Sequence, residues 1–215
     1  MPTELNADIL EHAFDDLGQM ARDNGLICEI AVYGGASIML ATDIRGVTRD
    51  VDSAFLKEAP FIDQAVQVIS RKRGLPDDWL NQSIAHMVTG RIGPTAKLTL
   101  FNEYPRDHGV PGLRVLLPTP EYILAMKLII SGRTEPHKDE SDRKDIIGLM
   151  RITKIRDKTK MMDLVKHFFP SAIGTGERIK AKIEDAIKAE KDSRSHDSDA
   201  KTWNAQGRRA PGSGR

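Results

Sequence analysis

The sequence predicts an α+β fold: a small mixed β-sheet flanked by helices, with a helical module behind it. Two observations predict it. Over the first 118 residues, short apolar runs bounded by glycine, proline or asparagine alternate with segments whose apolar residues recur every three to four positions. After Pro118 the strand signals stop and only the helical spacing continues. A hydrophobic content of 40% in 215 residues is enough for a real core in one domain.

The elements follow in order. Residues 5–23 read as a helix, because Ile9, Leu10, Ala13, Phe14, Leu17 and Met20 share a face and Asn24-Gly25 ends it. Residues 27–33 are apolar on both faces, which predicts a central strand. A short helix is expected over 36–42, a strand over 50–56, and a helix over 61–73 stopped by Gly74. A further short helix is expected over 77–84. Residues 96–101 and 113–117 read as strands joined by a polar loop. Helices are then expected over 120–130, with Thr119 as N-cap, and over 142–150, 158–169 and 177–191. From Asp192 the chain is polar and ends in a basic run, so a disordered tail is expected. The expected organisation is a sheet-bearing core over 1–118, a helical module over 119–191 and a tail over 192–215.

Bulk properties narrow the function classes. Charged residues make up 29% of the chain, yet the net charge is only +1, so charge alone argues neither for nor against nucleic acid. Cys28 is the one cysteine, which excludes an intrachain disulfide and a cysteine-based zinc site. No apolar run approaches the roughly 20 residues of a membrane span, and the first residues are acidic and amphipathic, unlike a signal peptide. A cytoplasmic protein with no membrane partner is the expectation.

The chemistry concentrates in Gly34-Gly35-Ala36-Ser37 and Thr48-Arg49-Asp50-Val51-Asp52. On a strand, residues i and i+2 share a face, so Asp50 and Asp52 aim two carboxylates at one region. Such a pair repels unless a cation or proton lies between, and oxygen ligands of this kind suit Mg²⁺. The glycine turn leading into a helix offers backbone N–H groups and a positive dipole end to a phosphate. Together they predict a site for a metal-bound nucleoside triphosphate. By strand parity Arg49 points away from the acids, which favours a structural role for it.

The order of these motifs resembles the nucleotidyltransferases of the DNA polymerase β superfamily, and more narrowly the bacterial AbiEii-type toxins and DUF6036-like proteins. The resemblance extends to Leu124-Ala125-Met126-Lys127-Leu128 and to Asp142-Arg143-Lys144-Asp145-Ile146, and so covers residues 34–150. It implies a Mg²⁺-dependent transfer of NMP from an NTP to a hydroxyl of RNA, protein or a small molecule, with a cognate antitoxin protein as a partner. It implies catalytic roles for Asp50, Asp52 and Lys127, with Asp50 and Asp52 as metal ligands. Gly34, Gly35, Ser37 and Thr48 would line the nucleotide. Lys127 reads as a phosphate partner or as a lysine snorkelling from an apolar helix. Asp142 and Asp145, three residues apart, read either as a solvated face at the start of a helix or as carboxylates orienting Lys127 or Arg133.

Two departures from the family pattern stand out. Many members carry a third acid on the strand beside Asp-x-Asp, whereas residues 96–101 contain none and Glu103 follows only later. The arginine usual two residues before the threonine is replaced by Gly46, with Arg45 one step earlier. The six histidines, among them His86, His108 and His137, show no ligand spacing. A catalytically weak nucleotide-binding or partner-binding protein on the same fold is therefore the alternative expectation.

Overall fold

The computed structural model describes residues 4–85, 97–130, 136–171 and 176–193, with the backbone alone at 136–139 and 193. Its helices are α1 (Ala7–Asp23), α2 (Gly34–Ala41), α3 (Ala59–Arg73), α4 (Pro120–Ile130), α5 (Pro136–Thr153), α6 (Lys158–Phe168) and α7 (Gly176–Ser193). Its strands are β1 (Leu5–Asn6), β2 (Cys28–Val32), β3 (Val47–Thr48), β4 (Val51–Lys57), β5 (Leu80–Asn81), β6 (Leu98–Tyr104) and β7 (Leu113–Pro118). The mixed sheet and flanking helices agree with the predicted class.

Five strands form one sheet in the order β5-β4-β2-β7-β6, and β1 pairs with β3 separately. Strand β2 is central, as its two apolar faces predict. It runs antiparallel to β4, with Val32 opposite Ser53, and parallel to β7, with Ala31 opposite Leu116. Its alternate residues feed two different cores. Ile30 and Val32 join a cluster with Phe14 and Leu17 of α1 and Ile62 and Ile69 of α3. Ala31 and Tyr33 join a second cluster with Leu124 of α4, Leu149 of α5, Met161 of α6 and Ile183 of α7. Each fully buried Val, Leu, Ile, Phe or Met among them contributes about 1.5–3 kcal/mol of burial free energy. In the first core, the Phe14 ring lies 6.1 Å from Trp79 and 5.4 Å from Tyr104.

Several boundaries move for local reasons. Helix α1 starts at Ala7 because Asn6 takes the N-cap, its Oδ1 accepting from Ile9 N–H at 2.8 Å. The peptide of Asn6 instead pairs with Val47. Helix α2 starts at Gly34 and so absorbs the glycine pair, and β4 starts at Val51, which leaves Asp50 just ahead of it. The helix expected over 77–84 does not form. Val51 N–H donates to Trp79 carbonyl at 2.8 Å, and Ser53 hydroxyl donates to Asn81 carbonyl at 2.8 Å, so this segment joins the sheet edge as β5. Strand β6 runs three residues past the expected end, so Glu103 lies on it. Helix α5 starts six residues early, which puts Asp142 inside the helix and removes the idea that it begins one. Helix α3 ends where expected, with Gly74 at φ 66°. The first two residues of the expected disordered tail, Asp192 and Ser193, belong instead to α7, and residues 194–215 lie outside the described residues. Among the described residues no helix is long and apolar enough to cross a membrane.

Candidate functional site

Asp52 and the glycine turn meet at one end of the sheet. The β2–β4 pairing continues past Val32 through Tyr33 N–H, which donates to Asp52 carbonyl at 2.8 Å. The chain then turns into α2 at Gly34, whose φ of 61° is open to glycine at little cost. A Cβ there would lie 2.8 Å from Asp52 Oδ2. The glycine therefore gives the carboxylate its room as well as giving the turn its shape. Tyr33 precedes α2 without a side-chain cap, and the first turn of the helix holds no acid. The first amides of α2 thus keep their positive end for whatever stands beside Asp52.

The direction of Asp52 follows from the pleat. Val51 points into the first core and Ala54 into the second, so Asp52 faces the side of the sheet that carries α4 to α7. Asp50 is half-buried, and its carbonyl accepts from Thr48 Oγ1 at 3.0 Å. That bond fixes the backbone of the β3–β4 corner. It also uses the hydroxyl expected to line the nucleotide, since Thr48 itself is buried.

Behind the turn lies a chain of alternating charges. Arg45 Nη1 donates to Asp145 Oδ2 at 2.8 Å. The same Oδ2 lies 2.8 Å from Lys127 Nζ, which also donates to Asp142 Oδ1 at 2.6 Å. The side chains of Lys127 and Asp145 are only 11% and 3% exposed. Burial acts to lower the pKa of Lys127, but Asp145 and then Asp142 outweigh it, and the lysine is held above its usual value. Its ammonium is held by two carboxylates and does not snorkel to solvent. The expectation that Asp142 and Asp145 orient Lys127 agrees with this geometry, while Arg133 lies outside the described residues.

Arg45 carries the chain forward to the turn. Its Nε donates to Val47 carbonyl at 2.8 Å, and its guanidinium carbon would be 2.9 Å from a Cβ on Gly35. Two cations and two carboxylates make the cluster neutral, so it offers little net attraction to a triphosphate. Arg45 also lines a surface cleft with Asn6, Asp8, Met39 and Asp43. That cleft includes neither Asp50 nor Asp52 and is not the predicted site.

The donor set fits Mg²⁺ in one respect. The Asp52 carboxylate beside a helix start without a side-chain cap matches an ion that takes one or two protein carboxylates and completes its shell with water and phosphate oxygens. Among the described residues no group of three ligating side chains could hold a metal. Glu103 does not supply a third acid. Arg114 Nε donates to its Oε1 at 2.9 Å, and Arg114 Nη1 reaches Glu29 at 3.3 Å. Since Glu29 lies near the start of β2 and Tyr33 just past its end, this trio lies toward the opposite end of β2 from Asp52.

The remaining expectations divide. Ser37 is fully buried, and its hydroxyl donates to Gly34 carbonyl at 2.9 Å, so it braces the turn from inside. Arg49 is exposed. His86 and the side chain of His137 lie outside the described residues. Two residues that the sequence reading left without a role enter the site. Arg45 was visible only as a displaced arginine. Ser83, whose hydroxyl donates to Asp52 Oδ1 at 2.6 Å, carries no signal in the sequence, because the edge strand that brings it there has no strand pattern of its own.

No family model, no curated protein and no solved structure matches this chain.

Proposed function

We propose that the chain is a Mg²⁺-dependent nucleotidyltransferase that moves NMP from an NTP to a hydroxyl. The observation that carries this reading is the packing of the Asp52 carboxylate against the Gly34 turn at the start of α2. An acid that suits a cation and a turn that suits a phosphate share one place. Asp50 and Asp52 would hold Mg²⁺, which supplies charge neutralisation to the triphosphate when bound. The chain's own part is positioning. Gly34 and Gly35 let the triphosphate approach the backbone closely. Arg45 stiffens the turn from its far side through Asp145, and Lys127 serves that carboxylate. Transfer of this type depends on position and charge more than on covalent help from the protein.

The acceptor is a hydroxyl of RNA, protein or a small molecule, and a partner of the antitoxin kind rests on the sequence resemblance alone. A second reading, nucleotide binding without transfer, is favoured by the absence of a third acid near Asp52 among the described residues. Incubation with NTPs labelled on the α-phosphate separates the two. Label moving to an acceptor with release of pyrophosphate supports the transferase. Bound but untransferred NTP with every cellular fraction supports the binding protein.

A further inference from the structure

Asp52 has two partners on its two oxygens. Oδ2 faces the glycine turn, 2.8 Å from the place of a Gly34 Cβ, and Oδ1 accepts from Ser83 at 2.6 Å. One carboxylate therefore bridges a hydroxyl and the turn suited to phosphate. The bond is of the short, charge-assisted kind. A carboxylate that accepts from a hydroxyl in this way fixes where the hydroxyl oxygen lies beside the turn.

We infer that Ser83 is a self-modification site, an internal hydroxyl that accepts the nucleotidyl group from an NTP bound at Asp52 and the Gly34 turn. The inference rests on the transferase reading above. Among the described residues, three other hydroxyls of these elements are spent. Ser37 donates to Gly34 carbonyl, Ser53 to Asn81 carbonyl and Thr48 to Asp50 carbonyl, and all three are buried. Ser83 is exposed, in the turn just after β5. Its own amide donates to Asn81 Oδ1 at 2.9 Å, which fixes the backbone that presents the hydroxyl.

The step balances without a further reagent. Ser83 Oγ attacks the α-phosphorus, and an Oγ–P bond forms. The bond from that phosphorus to the bridging oxygen of the β-phosphate breaks, and its electron pair leaves with pyrophosphate. The serine proton passes to solvent, to which the exposed Ser83 is open. The product is a phosphodiester on Ser83 whose nucleotide covers Asp52 and the turn, so modification blocks further NTP binding. The reaction is self-limiting.

The full chain is incubated with Mg²⁺ and each NTP, with no other acceptor. The expected result is a mass gain of one NMP per chain, mapped by peptide fragmentation to Ser83 and absent in Ser83→Ala. Calorimetry with a non-hydrolysable α,β-methylene triphosphate and Mg²⁺ is the second readout. Wild type is expected to bind, and Asp52→Asn to lose tenfold or more in affinity. Analogue binding by wild type with no gain in mass, or a gain that persists in Ser83→Ala, overturns this inference and leaves the transferase reading standing. Failure of wild type to bind the analogue overturns both.

Discussion

Gly34 holds φ at 61° with Asp52 Oδ2 at the place a Cβ would need. Gly34→Ala meets a backbone cost and a steric one together. It is expected to lower stability by about 1–3 kcal/mol in urea unfolding and to weaken binding of Mg²⁺ with NTP, because the carboxylate must move. Lys127 tells a different residue-scale story. Its removal leaves Asp142 and Asp145 short of a cation in a buried place, the costly kind of loss. Lys127→Ala is expected to destabilise by about 3–5 kcal/mol in the same measurement, since Arg45 alone cannot balance both acids. Cys28 is buried, and burial first, then Glu58, pushes its thiol up to about 11, with Lys57 opposing. At pH 8 it is expected to resist alkylation in the native protein and to react once urea unfolds it.

Among the elements, the contact that decides the site is between the corner after α2 and helix α5. Ile44 packs against the second core, and Arg45 reaches Asp145 beside it. A double-mutant cycle with Arg45→Met and Asp145→Asn is expected to show a coupling of about 0.5–3 kcal/mol. Additive effects would mean that the two side chains merely coexist. The elements also show what the sequence could and could not reveal. Strand β2 was legible because both its faces are apolar, and α4 because Thr119 and Pro120 mark its start. The place of Asp52 beside Gly34 was legible because turn, short helix and alternating acids leave the chain few ways to return. The edge strand β5 was not. Its two residues are defined by backbone bonds to β4 and not by any pattern of their own, and Ser83 was lost with it. The pairing of Lys127 with Asp145 was legible as one of several readings, since a lone lysine in an apolar helix needs a buried partner or an exit. The link onward to Arg45 spans a hundred residues of sequence and leaves no local trace.

The whole molecule places its ionisable groups so that alkali works against it. Lys127 is held above its usual value, the Cys28 thiol is pushed up to about 11 and the Tyr122 hydroxyl to about 12, each in a buried setting. A folded pKa raised above the unfolded one gives stability that is full below the unfolded value and lost as pH rises through the folded one. Unfolded thiol, phenol and lysine titrate near 8.5, 10 and 10.4. The urea midpoint is therefore expected to fall from about pH 8.5 upward, with the steepest decline above about pH 10. In Lys127→Met the part of that slope due to the lysine should be gone. A midpoint flat to pH 11 would show that these groups are not buried as described.

Two cores on opposite faces of one sheet leave the site at the end of β2, where the first core's α2 begins and the second core's helices face Asp52. The claim that joins fold to function is that this end of the molecule binds NTP through a cation on Asp50 and Asp52. Isothermal titration of NTP into the full chain, with Mg²⁺ and then with a chelator, in wild type and in Asp52→Asn, tests it directly. The expected result is binding by wild type with Mg²⁺, weakened tenfold or more by the chelator or by the substitution, with an unchanged circular dichroism spectrum. Equal affinity in all four titrations, or no binding in any, would contradict it.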